Sequence, residues 1–290
     1  MSGAVNLGRA GAVDGWLARL GRGLWAPRCL VCGEAGEGRL DLCGRCEAAL
    51  PWMPPACASC AMPLPARATE SAARAPPRSP AGPTVKAPVG AAIAAITPTP
   101  QQKAIAAIAA PTARPARLCS ACQHDPPPLA EVHAAFLYGF PLDRLLPRLK
   151  FHRDLAAGRL LAQAMATAFA GCERPQALVP VPLHRARLRQ RGYNQAQELA
   201  RPLGRILDLP LRPDLLQRPR NTTAQSRLDA DARAGNLRDA FEVPGRAEVP
   251  AHVVLVDDVM TTGATLHAAA EALLDAGTDR VDAWTCARAP

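Results

Sequence analysis

The stretch from Val253 to Leu266, VVLVDDVMTTGATL, constrains this chain more than any other. Val253 to Val256 form an unbroken apolar run, which predicts a short strand buried on both faces of a parallel sheet. Asp257 and Asp258 follow at once, where such a strand is expected to leave the sheet. Thr261, Thr262, Gly263, Ala264 and Thr265 make a small, hydroxyl-rich turn, and Leu266 to Leu274 has the apolar periodicity of a helix opening there. A helix N-terminus offers free backbone N–H groups and the positive end of its dipole to a phosphate, while carboxylates accept hydrogen bonds from sugar hydroxyls. The stretch is therefore expected to hold a ribose 5-phosphate.

Length bounds the rest. At 290 residues the chain has room for one large or two smaller domains, and its hydrophobic content of 49% allows a real core, much of it alanine. The net charge of +9 suits acidic partners such as phosphorylated substrates, nucleic acid or anionic membrane, and also suits plain solubility. No clean run of 18 apolar residues occurs, so no membrane-spanning helix is expected. The N-terminus lacks the ordered regions of a signal peptide, and the expected location is the cytoplasm.

Eight of the ten cysteines fall in four CxxC pairs: Cys29/Cys32, Cys43/Cys46, Cys57/Cys60 and Cys119/Cys122. In a long chain read as cytosolic, that pattern indicates metal rather than disulfides. One CxxC turn presents two thiolates to a tetrahedral ion and a second turn completes the set, so eight thiolates fit two zinc ions. The simplest grouping joins Cys29/Cys32 to Cys43/Cys46 and Cys57/Cys60 to Cys119/Cys122; a crossed grouping, first with third and second with fourth, satisfies the same count. Four sulfurs leave no open position for water, so the expected sites are structural.

Before the cysteines, residues 11 to 25 carry Val13, Trp16, Leu17, Leu20 and Leu24 at helical spacing, so a short amphipathic helix is expected within residues 1–25. Residues 66–117 are Ala-, Pro- and Thr-rich with no aromatic side chain, and are expected to be a disordered insert between the third and fourth pairs, because they cannot bury enough apolar area to offset ordering entropy. From about residue 129 the composition is globular. Strands are expected over His133–Tyr138, Ala177–Leu183 and Arg280–Ala287, and helices over Leu142–Lys150, Leu155–Phe169 and Ala196–Leu207. His184 to Gln195, HRARLRQRGYNQ, is expected to be a basic loop, and residues 211–241 a polar segment with few core positions. Strands alternating with helices indicate an α/β domain with a largely parallel sheet, whose ligands bind beyond the carboxyl ends of the strands.

VVLVDDVMTTGATL resembles the phosphoribosyl pyrophosphate (PRPP) motif of type I phosphoribosyltransferases. Together with VPVPLHRARLRQRGYNQA, the RPRNTTAQSRLDADARAGNLRDAF segment and the four CxxC pairs, it resembles the ComF (ComFC/GntX) family, over residues 24–65 and 118–290. The resemblance implies a double zinc ribbon, residues 26–65 and 118–128, preceding a parallel-sheet type I phosphoribosyltransferase-like domain, residues 129–290. The long insert departs from the family's short spacing before the last cysteine pair.

What the resemblance implies for function is PRPP binding with Mg²⁺ and transfer of the phosphoribosyl group to an unidentified acceptor, with release of pyrophosphate. Asp257 and Asp258 would hold the ribose hydroxyls, and Thr261, Thr262, Gly263, Ala264 and Thr265 the 5-phosphate. Lys150, Arg189, Arg191, Tyr193 and Asn194 would face the pyrophosphate, which places Asp257, Asp258 and Arg191 nearest the reacting bonds. Displacement through an oxocarbenium-like transition state asks for positioning and charge stabilisation, so no Ser/His/Asp constellation is needed. The alternative is a non-catalytic competence protein of DNA uptake that binds single-stranded DNA or a helicase partner. A strand ending in Asp-Asp also occurs in P-loop ATPases, but this sequence has no GxxxxGK[ST].

Overall fold

The computed structural model describes residues 28–36, 40–65, 117–220, 240–245 and 247–289. The helix expected within residues 1–25, the insert apart from Arg117, and residues 221–239 of the polar segment lie outside the described residues. The chain divides into two compact units, Met1–Leu50 and Pro51–Pro290.

In the first unit, Cys29 and Gly33 form a knuckle closed by Gly33 N–H on the Cys29 carbonyl at 2.9 Å. Gly33 has φ +80°, a backbone region that glycine enters without steric cost. Helix α1, Gly44–Ala48, starts directly after Cys43 and buries Cys46.

In the second unit, helix α2 (Ser120–His124) follows Cys119 and buries Cys122. The sheet has four strands among the described residues: β1 (Val132–Leu137), β2 (Ala177–Pro180), β3 (His252–Met260) and β4 (Arg280–Arg288). Their order is β1-β4-β3-β2 and every pairing is parallel. Between β1 and β2 lie helices α3 (Leu142–Phe151) and α4 (Leu155–Phe169). Helices α5 (Arg185–Arg191) and α6 (Gln195–Leu207) follow β2, and α7 (Ala264–Asp275) follows β3.

The apolar run at Val253 is the sheet's interior. Val253, Val254, Leu255 and Val256 are all fully buried, because helices cover both faces. Val253 and Leu255 share a cluster with Leu266, Ala269 and Leu273 of α7. In the layer containing α4, Trp284 of β4 stacks on Phe169 at 5.0 Å between ring centroids. The open edge of β1 is covered by the chain leading into the third cysteine pair. Met53 N–H donates to Ala135 at 3.0 Å, Leu137 N–H donates to Pro51 at 2.9 Å, and the Trp52 ring sits 4.7 Å from Phe136. Among the described residues no helix is long and apolar enough to cross a membrane.

The structure departs from the sequence expectations in three places. β3 runs through both aspartates to Met260 instead of releasing them, because β4 extends alongside and pairs Asp257 with Thr285 and Met260 with Arg288. β2 stops at Pro180, short of Leu183. The basic stretch after His184 is a helix, not a loop. Its Arg, Ala, Leu and Gln residues are good helix formers, the His184 ring accepts the Ala186 N–H, and Gly192 ends the helix at φ +85°. The polar segment adds Leu215, Leu216, Ala240 and Phe241 to the core.

Candidate functional site

Two four-sulfur clusters form, and they follow the simplest grouping: Cys29, Cys32, Cys43 and Cys46 in one, Cys57, Cys60, Cys119 and Cys122 in the other. Within each cluster all sulfurs lie within 4.8 Å of one another. Four ligands at about 2.3 Å around a tetrahedral zinc place neighbouring sulfurs about 3.8 Å apart. The separations are 3.6 Å for Cys32–Cys43 and 3.8 Å for Cys60–Cys119, so both donor sets fit zinc. The second cluster closes although Cys60 and Cys119 are 59 positions apart in sequence. Burial raises the Cys29 thiol, but backbone N–H groups of Cys32, Cys43 and Val31 outweigh it and bring Cys29 down to about 6. Burial is likewise overcome at Cys57, chiefly by the Cys119 N–H, which lies 3.3 Å from its sulfur; the result is about 7. Those thiolates are the form a zinc ion takes up.

The second site lies at the carboxyl ends of β2 and β3. Asp257 and Asp258 lie near the carboxyl end of β3, followed within it by Val259 and Met260, and the pocket beyond is lined by Asp257 and by Val259 through Leu266. Each carboxylate is fixed locally: Asp257 Oδ1 accepts the Asp258 N–H at 2.8 Å, and Asp258 Oδ1 accepts the Val259 N–H at 2.7 Å. Gly263 has φ +85° and sits at the N-cap of α7, where a Cβ would lie 2.6 Å from Met260 Cε and 2.9 Å from His267 Nε2. Only glycine fits that turn, and it aims the first turn of α7 at the pocket.

Cations surround the acids. Lys150, from the end of α3, places Nζ 3.0 Å from Asp258 Oδ2. Burial first, then the neighbouring Asp258, push Asp257 up to about 7, against the pull of Lys150 and Arg218. Arg218 stands over the Phe241 ring at 5.1 Å, and its guanidinium is lowered by burial and by Arg187, with Asp257 opposing. Arg191 lies over the Phe151 ring at 5.7 Å, which brings the end of α5 beside the residue following Lys150. Arg189 is exposed on the same helix.

Asn194 and Tyr193 are placed differently from the cations. Asn194 caps α6 by accepting the Ala196 N–H and donates to the Val181 carbonyl at 3.0 Å, so its amide ties the start of the helix to the residue that follows β2. Tyr193 is half-buried, and burial raises its hydroxyl. Asp257, Thr261, Thr262, Gly263, Ala264 and Thr265 thus line one pocket, Lys150 pairs with the adjacent Asp258, and Arg191 lies against Phe151. Sequence reasoning missed Arg218, whose approach to Asp257 depends on folding of the polar segment; no local pattern marks it. A broader concavity lined by Arg201, Arg205, Asp208 and Leu209 lies at the other end of α6, where the helix dipole disfavours anions.

A family model described as a double zinc ribbon domain matches residues 20–75, which include three of the four cysteine pairs. The chain is 35% identical over 182 residues to competence protein F of Haemophilus influenzae, covering 60% of this chain and 80% of that protein. It is 37% identical over 187 residues to the DNA utilization protein YhgH of Salmonella typhimurium, covering 61% and 81%. It is 30% identical over 152 residues to competence protein ComFC of Bacillus subtilis, covering 51% and 60%.

Protein purified anaerobically should carry about two zinc ions per chain, four thiolates to each. Cys57→Ser should lower the count to about one, and acidification should release the metal as protons compete for sulfur. Metal analysis returning zero or one ion for the unaltered chain would refute two sites.

Proposed function

The chain belongs to the ComF family of competence and DNA-utilisation proteins, and from that premise we propose that its parallel-sheet unit is a phosphoribosyltransferase-like site that binds PRPP. The observation that carries this reading is the sequence of groups at the end of β3: two adjacent carboxylates, a turn only glycine can make, and a 12-residue helix whose N-terminus faces the same pocket. Ribose hydroxyls donate to Asp257 and Asp258. Backbone N–H groups of Thr261 to Thr265 and the dipole of α7 take the 5-phosphate. Lys150, Arg191 and Arg189 are the cations for the pyrophosphate, with Arg218 close to Asp257.

Mg²⁺ brought by PRPP would be held mostly by the ligand's own oxygens and water, and would supply charge neutralisation of the pyrophosphate. The residues of this chain hold the ribose and stabilise the leaving charge while a nitrogen nucleophile attacks C1 and the C1–O bond to pyrophosphate breaks. Lys150, paired to Asp258, can turn to the pyrophosphate when sugar hydroxyls replace it at the carboxylate.

Protonated Asp257 donates, whereas a ribose hydroxyl needs an acceptor, so PRPP should favour the ionised form. Affinity should therefore rise as pH rises through about 7, the value to which burial and Asp258 push Asp257. Titration calorimetry with PRPP and Mg²⁺ should show this rise, and Asp257→Asn should flatten it and weaken binding by about 10-fold to 100-fold, the worth of one or two hydrogen bonds to a charged group. No heat with PRPP at any pH, or a pH profile that Asp257→Asn leaves unchanged, would overturn the reading.

A second reading, single-stranded DNA binding at this unit, is favoured by α5, which carries Arg185, Arg187, Arg189 and Arg191, no acid and no buried residue. It also accords with the names of the relatives. A helicase partner for the zinc ribbon belongs to the same reading. Replacing the four arginines by alanine should reduce the slope of log affinity for single-stranded DNA against log salt by about 3, at roughly 0.7 per phosphate contact. An unchanged slope would remove the electrostatic basis of this reading.

A further inference from the structure

Arg288, the last residue of β4, is 5% exposed and its guanidinium joins two places that no segment of chain joins directly. Its Nε donates to the carbonyl of Cys60 at 2.9 Å, and its Nη1 donates to the carbonyl of Met260 at 3.3 Å and to that of Ala289. Cys60 is a sulfur donor of the second cluster. Met260 ends β3 and begins the turn at Gly263, and its methyl group lies where a Cβ on Gly263 would collide. The Met260 carbonyl also accepts the Ala289 N–H at 2.9 Å. On the cysteine side, Ala61 is 1% exposed and sits in the same buried cluster as Met260 and Leu266. A rigid fork of five N–H donors thus spans from the metal knuckle to the base of the ligand turn.

We propose that Arg288 is a positioning residue that makes the Met260–Thr265 turn depend on zinc at Cys57, Cys60, Cys119 and Cys122. The ion holds the Cys60 sulfur and so fixes the carbonyl of the same residue. That carbonyl fixes the guanidinium, and the guanidinium holds the Met260 carbonyl at the foot of the turn. Loss of the ion frees the knuckle, and the turn loses its brace while β3 keeps its ladder to β2 and β4. Zinc loss or cysteine oxidation at this cluster would then reduce ligand binding without a metal ever touching the ligand. The consequence for PRPP rests on the reading of the turn as a phosphate cradle; the mechanical link does not.

The test is amide hydrogen exchange of the full chain, zinc-loaded and after chelation, in the unaltered protein and in Arg288→Lys, which keeps the charge but cannot span both carbonyls. Chelation should speed exchange by about tenfold, the equivalent of one lost hydrogen bond, at Ala289 and His267, whose N–H groups donate to the Met260 and Gly263 carbonyls of the turn, while Val253–Val256 stay protected. Zinc-loaded Arg288→Lys should already show the faster exchange, retain its zinc, and respond to chelation by less than about twofold. PRPP affinity measured on the same samples should fall in parallel. Exchange at these two amides indifferent to chelation, exchange there in zinc-loaded Arg288→Lys as slow as in the unaltered protein, or loss of Val253–Val256 protection together with theirs would each overturn the link. Exchange that follows this pattern in a protein that binds no PRPP would sustain the link and defeat the functional reading.

Discussion

Two carboxylates on consecutive residues of a strand buried on both faces are electrostatically costly, and the rest of the second unit is arranged around that cost. Desolvation of the Asp257 carboxyl, and then the neighbouring Asp258 charge, raise Asp257 to about 7. The fold answers with a direct cation at Asp258, with Arg218 near Asp257, and with main-chain N–H groups on one oxygen of each side chain. Such a site holds an acidic pair ready for a partner that brings hydroxyl donors and its own counter-charge. A sugar phosphate with a divalent ion has both.

The parallel sheet supplies the geometry. Because β2 and β3 run the same way, the segments that leave them emerge on one side, and α5 and the Gly263 turn are delivered to neighbouring positions. Lys150 arrives from the end of α3 after the chain leaves β1. Three crossovers therefore meet where the strands end, as expected for ligand sites in open α/β sheets. The second four-cysteine cluster belongs to this unit physically. The segment approaching it covers the free edge of β1, Val132 N–H donates to Ala58, and Arg288 reaches Cys60 from β4.

Much of this was legible in the sequence where a local rule sufficed. The run Val253–Val256 announced a doubly covered strand by its unbroken apolarity, and the Gly263 turn with Leu266–Leu274 announced a helix N-terminus. Cysteine spacing gave the number of metal sites, and the grouping then followed the simplest arrangement. What stayed illegible depended on long-range partners. β3 extends past its apolar run only because β4 is there to pair with Met260. The helix at Arg185–Arg191 has no apolar stripe to advertise it, since none of its residues is buried. Arg218 and Arg288 are unremarkable arginines until folding sets one near Asp257 and the other between Cys60 and Met260.

The central claim, that the end of β3 is a cradle for a phosphorylated ribose, is tested most directly by a crystal structure of the chain with PRPP and Mg²⁺. The account predicts the 5-phosphate on the backbone N–H groups of Thr261 to Thr265, the ribose hydroxyls on Asp257 and Asp258, and Lys150 turned from Asp258 toward the pyrophosphate. PRPP bound elsewhere on the chain, or a β3 end that stays empty at saturating PRPP with Lys150 still paired to Asp258, would contradict it.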